Sequence, residues 1–329
     1  MIEYYFLSDL VKSHVSFPLS SYEELLIELN FSDIDQWINT WNLRGGSNLA
    51  ASSWPQGTKK DWLWGLGLPF LTDIERYLQI NEERIIFGIS GLPGCGKTSL
   101  GKWIESAALE LNWAVKVISL DDFYLPSKEL DEAMAGNPWR VPRGLPGSHS
   151  IQLLKDTIQT WKTTGLLKSP HFDKALRNGK GDRSGWSVGN PEILIIEGWF
   201  LGCQLTNNIT NSMDDLLVDI KPITSIEKDY QFVVQRELKK YQPIWDEFER
   251  IWHLKAIDFL ATKNWKTQQE SNLQRERGAS LQGEDLDLFH RMVQTSIPLE
   301  SIQSVKSDVI VKLNESRQIK WVGLSNQEK

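Results

Sequence analysis

Gly91-Leu92-Pro93-Gly94-Cys95-Gly96-Lys97-Thr98 sets three glycines, a lysine and a hydroxyl in eight residues, and Ser99 follows. The stretch fits the pattern G-x-x-x-x-G-K-[ST] at every position. Glycines let a backbone curl until successive N–H groups point into one concavity, which suits phosphate oxygens. An ammonium at Lys97 then suits the β- and γ-phosphates, and the Thr98 hydroxyl suits Mg²⁺. The chemistry is the binding of ATP with Mg²⁺. Gly91, Gly94, Cys95, Gly96, Lys97, Thr98 and Ser99 are the residues expected to hold it. Such a loop does not by itself separate kinases from ATPases, GTPases or motors.

Two further places carry acids. Ala114-Val115-Lys116-Val117-Ile118-Ser119-Leu120 runs into Asp121-Asp122-Phe123-Tyr124. One acid could take the proton of an acceptor hydroxyl, and the other could hold Mg²⁺ directly or through water. Taken alone, an Asp-Asp pair is more often a polar loop or a helix cap. Ile193-Leu194-Ile195-Ile196 runs into Glu197-Gly198, an acid after four apolar residues that suits Mg²⁺ or its water shell. The candidate catalytic residues are thus Asp121, Lys97 and Asp122. The candidate metal ligands are Thr98, Glu197 and Asp122.

These residues need a scaffold. Ile85 to Ser90 is a short apolar run suited to a buried parallel strand, followed by the glycine turn and a helix over about 98–111. A second strand over 114–120, a helix over about 151–161 and a strand over 193–196 continue the alternation. The pattern predicts an α/β fold with a doubly wound parallel sheet, whose active residues lie at the carboxyl ends of the strands. Residues 1–80 read as a helical N-terminal extension. Leu25, Leu26 and Leu29 share one face, Ile34, Trp37, Ile38 and Trp41 another, and no chemical motif appears among them. Residues 81–329 form the phosphate-loop domain, mainly helical after about Leu238, with a last strand over 308–313.

The net charge of −7 argues against nucleic acid or an anionic membrane as partner. Two cysteines, Cys95 and Cys203, are too few for a disulfide framework and point to a reducing cytoplasm. No apolar stretch approaches the ~18 residues of a membrane span. Met1 to Phe6 lacks a basic region followed by an apolar core, so no signal or transit peptide is expected. The fifteen tryptophans read as packing residues.

The phosphate loop, Asp121-Asp122-Phe123-Tyr124 and Glu197-Gly198 together resemble the P-loop kinase group that contains uridine kinase, phosphoribulokinase and pantothenate kinase. The group shares Asp-x-Phe after the second strand, and the resemblance makes Asp121 the catalytic base. Longer stretches resemble the plant and cyanobacterial type of D-glycerate 3-kinase. They are Asn137-Pro138, Arg143-Gly144-Leu145-Pro146-Gly147-Ser148-His149, Pro170-His171-Phe172-Asp173-Lys174-Ala175, Gly179-Lys180-Gly181-Asp182-Arg183, Glu197 to Gly202, and Trp245-Asp246 with Phe248. The resemblance covers roughly residues 85–325. The Trp265 segment carries Lys266 where the family leads one to expect arginine.

The resemblance implies D-glycerate as substrate. A carboxylate with two hydroxyls needs a cationic fork and a nearby base. Arg143, His149, Lys174 and Arg183 are the candidates, and which of them meets the carboxylate stays open. Arg275 and Arg277 are candidate lid cations, though a solvated helix face explains them equally well. Cys95 at a helix start could be a low-pKa thiol, but a small residue that fits the loop is the simpler role. Two rivals remain: a related kinase for another small hydroxy compound, and a non-catalytic ATP-binding or ATPase switch. The first is separated by the acceptor, since a nucleoside wants aromatic and amide groups. The second has no need of Asp-x-Phe beside an acceptor pocket.

Overall fold

The computed structural model describes residues 17–80, 83–206, 221–278 and 280–328. The N-terminal residues expected to lack a leader lie outside them. Six strands form one sheet: β1 (Ile85–Gly91), β2 (Val115–Ser119), β5 (Ile193–Gly198), β6 (Arg250–Ala256), β7 (Val309–Leu313) and β8 (Ile319–Leu324), in the order β2-β5-β1-β6-β7-β8. The first five are parallel, and β8 returns antiparallel at the edge. β1 and β5 are buried at every position, as expected of strands covered on both faces. The chain leaves β1 first to one side and later to the other, so the carboxyl end of β1 is the switch point where ligands sit.

The α/β parallel sheet with its helical N-terminal region is as the sequence predicts. Two parts of the sheet were not foreseen. β6 was assigned to a helical stretch, because Arg250, His253 and Lys255 break the apolar pattern of a buried strand. It is nevertheless central: Arg250 pairs with Asp73 and Glu28, and Lys255 with Glu328. The second is β8, which follows the last strand the sequence predicts. Residues 167–189, before β5, form a separate hairpin of β3 (Leu167–Asp173) and β4 (Asp182–Gly189).

Helices α1 (Leu19–Glu28), α2 (Ile34–Leu43) and α3 (Leu68–Ile80) precede the sheet. Their apolar faces share one core with it: Leu25, Trp37, Trp41 and Phe70 lie in the same cluster as Phe87, Trp252 and Val311. A buried polar knot fixes the join. Asp73 of α3, fully buried, accepts from Arg250 Nε at 2.8 Å and from Trp252 Nε1 at 2.9 Å, both on β6. Its other oxygen pairs with Arg76 at 3.0 Å, and Arg250 also meets Glu28 at 2.8 Å. A buried carboxylate persists only when paired and hydrogen-bonded in this way. Helices α4 (Lys97–Glu110), α5 (Ser127–Ala133) and α6 (Ile151–Thr164) follow, then α7 (Ser225–Leu238), α8 (Ala261–Arg277) and α9 (Gly283–Thr295). Among the described residues no helix is long and apolar enough to cross a membrane.

Candidate active site

The strand register brings the chemistry together. Ile89 of β1 pairs with Glu197 of β5, and Glu197 pairs with Ser119 of β2, so three strands end on one level. Beyond them opens a cavity of about 500 Å³. The phosphate loop bounds it below, with Gly94, Gly96, Lys97, Thr98 and Ser99 on its wall. The loop needs glycine at two of these points. Gly94 has φ +78° and a Cβ there would stand 2.7 Å from the Trp265 backbone; Gly96 has φ +115° and a Cβ would stand 2.6 Å from the Trp62 ring. α4 begins directly after, so its free N–H groups and dipole favour an anion at that place. Lys97, 7% exposed, donates to Gly91 O at 2.7 Å and Leu92 O at 3.2 Å. Thr98 Oγ1 donates to Glu197 Oε1 at 3.0 Å.

Gly91 and Cys95 do not reach the cavity. Cys95 is fully buried beneath the loop, and burial pushes its thiol above the ordinary range despite Lys97 nearby. A reactive thiolate at the helix start is therefore not what this packing makes.

The neighbouring acids part company. Residues 120–123 form a 3-10 turn capped by Ser119. Asp121 lines the cavity, and its Oδ2 accepts from Lys174 Nζ at 2.6 Å. Burial would raise its pKa, but Lys174 and then His149 hold it well below the ordinary carboxylate value. Asp122 turns back instead. Its carboxylate accepts from Ser119 N at 3.3 Å and Phe172 N at 3.2 Å, and burial raises its pKa. It does not line the cavity, so the catalytic and metal-binding duties expected of it have no geometric support; it caps the turn and ties it to β3.

The four expected substrate cations divide too. Arg143, 6% exposed, lines the cavity and donates to Gly179 O and Lys180 O. Lys174 lines it beside Asp121; burial opposes its charge, but Asp121 raises its pKa above the ordinary value. His149 sits behind Asp121, stacked on Tyr124 with centroids 4.4 Å apart. Gly147 N–H donates to Tyr241 Oη at 3.1 Å, and Tyr241 Oη lies 2.8 Å from His149 Nδ1. With Tyr241 donating to Nδ1, the His149 proton is on Nε2, which lies 3.8 Å from Asp121 Oδ1. Burial lowers the His149 pKa, so the ring is neutral there. Arg183 donates its Nε to Tyr124 O at 3.1 Å and does not reach the cavity. Nor do the lid candidates: Arg277 pairs with Asp173 at 2.6 Å, and Arg275 bonds Asn272.

Two groups enter that are not among the expected site residues. α8 presents Lys266, 6% exposed, whose ammonium pairs with Glu270 at 2.5 Å and lies 4.8 Å over the Phe289 ring. Burial pushes it down to about 8 against the pull of Glu270. Its i,i+4 spacing to an acid was readable, its place over the cavity was not. Residues 54–59 and Trp62 supply the other, a wall for which the sequence carries no motif.

Mg²⁺ fits this edge. One hydroxyl and one carboxylate facing each other, Thr98 and Glu197, are what the ion takes when phosphates and waters complete its shell. Among the described residues no group of three or more His, Cys, Asp or Glu gathers as an all-protein cage.

A phosphate loop at the switch point, with an acid on each of two neighbouring strand ends, is the arrangement of the P-loop kinase fold. No protein-family model matches the chain. An uncharacterised kinase of Schizosaccharomyces pombe is 28% identical over 237 residues, 67% of this chain and 83% of that protein. The chloroplastic D-glycerate 3-kinase of Arabidopsis thaliana is 28% identical over 219 residues, 62% of this chain but only 45% of the plant protein's length. The structure of D-glycerate 3-kinase from Cryptococcus neoformans shares the fold, with TM-score 0.62 at 20% identity over 77% of this chain and 96% of that one. The homologues of this chain, which has the P-loop kinase fold, thus include D-glycerate 3-kinase.

Proposed function

We propose that the protein transfers the γ-phosphoryl group of ATP to D-glycerate, giving 3-phospho-D-glycerate and ADP. The observation that carries this is the place of Asp121. It stands in the same cavity as the phosphate loop, with Arg143 and Lys174 beside it. A base next to cations suits a hydroxyl on a small anion; a nucleotide switch needs neither.

Loop amides and the start of α4 hold the phosphates, and the Lys97 ammonium turns from the loop carbonyls to the β- and γ-oxygens. Thr98 and Glu197 would hold Mg²⁺, which would offset charge on those oxygens. Arg143 and Lys174 take the acceptor carboxylate. Asp121 orients the acceptor hydroxyl and accepts its proton as that oxygen bonds to the γ-phosphorus and the bond to the β–γ bridging oxygen breaks. Lys174 keeps Asp121 ionised beforehand. A carboxylate drawing on Lys174 relaxes that hold and makes Asp121 a better base when the acceptor is present. His149, held by Tyr241, steadies the second Asp121 oxygen.

The test is a panel of hydroxy acids and nucleosides with Mg-ATP, with the phosphate position in the product read by phosphorus NMR. D-Glycerate phosphorylated at its terminal hydroxyl, ahead of the panel, is the expected result. A nucleoside or another hydroxy acid preferred over it overturns the substrate assignment.

A further inference from the structure

The cavity has an end that the phosphoryl chemistry does not use. Next to the phosphate loop its wall is made by residues 54–59 and Trp62, from the stretch between α2 and α3. This stretch is bound to the loop. The Trp62 ring fills the space that a side chain at Gly96 would take, and Trp62 Nε1 donates to Arg317 O at 2.7 Å. Arg317 Nε in turn donates to Gly94 O at 2.8 Å. Trp54 stands edge-on to Trp62 and stacks on Trp103 of α4, with centroids 4.9 Å apart. On the chain between these two tryptophans, Gln56, Thr58 and Lys59 line the cavity.

The direction of the ligand follows from the loop. With the terminal phosphate at Lys97, Glu197 and Asp121, whatever the phosphates are attached to meets a wall other than these, and the Trp62 ring against Gly96 puts residues 54–59 next to the loop. What waits there is aromatic surface with an amide, a hydroxyl and an ammonium. That set suits a nucleoside: apolar faces for the base, polar groups for its edge and sugar.

We propose that residues 54–59 form the nucleoside subsite for the purine nucleotide donor, so that the helical region before β1 is part of the nucleotide site. The proposal rests on the reading of the cavity as the ATP site. Gln56 and Lys59 are exposed, so their replacement leaves the core untouched.

The experiment compares two ligands on the full chain without acceptor: Mg-ATP and Mg-tripolyphosphate, by calorimetry. The double variant Gln56→Ala, Lys59→Ala should weaken ATP by about tenfold, the worth of one or two hydrogen bonds, and leave tripolyphosphate within about twofold. Unchanged ATP affinity overturns the subsite. Equal weakening of both ligands also overturns it, by placing the segment on the phosphates. The expected pattern in a protein that does not phosphorylate D-glycerate supports the subsite while removing the acceptor assignment.

Discussion

Lys174 Nζ lies 2.6 Å from Asp121 Oδ2, so the acid best placed to act as base is also ion-paired on the wall it shares with the phosphate loop. Its neighbour Asp122 spends both oxygens on backbone N–H groups. Asp121→Asn should therefore lower kcat by roughly 10²–10⁴-fold, as general-base loss does, with ATP affinity little changed. Asp122→Asn should act on stability, through the capped turn and Phe172, and leave kcat at saturating Mg²⁺ near normal in the folded fraction. Steady-state kinetics over a Mg²⁺ titration, with thermal melts of both variants, checks the pair; the reverse pattern exchanges their roles.

Lys97→Ala should lower kcat on the order of 10²-fold or more, by removing charge that faces the transferring group. The loop is held by glycine geometry and by Arg317, so circular dichroism should show an intact fold. Near-normal kcat in a folded variant would take Lys97 out of the mechanism.

Asp73→Ala should destabilise the protein by about 3–5 kcal/mol, because it leaves the buried Arg250 without its central partner. Denaturant unfolding measures this. A loss under about 1 kcal/mol, typical of a surface pair, would show that the knot between α3 and β6 contributes little.

The Lys266 ammonium, held down to about 8, faces Glu270, Lys174 and Arg143. Below that pH the cavity has its extra cation; above it the amine is neutral. The KM for anionic ligands should rise as pH passes about 8, and Lys266→Arg should flatten the rise. Between about 8 and 10.5 the unfolded chain binds this proton and the folded one does not, so the group's contribution to stability grows with pH there. Weaker binding in that window is then not loss of fold. A KM that is flat in the wild type across pH 7–9 contradicts this.

Cys95 should resist iodoacetamide in the native protein and react readily once unfolded, since the thiol is buried and its pKa raised. Fast native labelling, followed by mass spectrometry, would contradict that burial.

What could be read in the sequence was local. Lys97, Thr98, Asp121 and Glu197 stand at the ends of short apolar runs, and such runs announce buried parallel strands. What could not be read depends on distant partners. β6 hides because Arg250 is polar until Asp73 and Glu28 meet it. Asp122 and Asp121 look alike until one caps a turn. Arg183 and His149 sit in stretches that look like substrate loops in the sequence, yet the first lies on β4 and bonds Tyr124 O, and the second packs behind the base. Lys266, residues 54–59 and Trp62 reach the cavity only through the fold, from segments that carry no motif.

The most direct test of the account is ADP formation by the purified protein with Mg-ATP, with and without D-glycerate. The account predicts slow ADP release alone and rapid release, matched by equal 3-phospho-D-glycerate, when D-glycerate is added. Equal ADP release in both cases would contradict it and make the protein an ATPase.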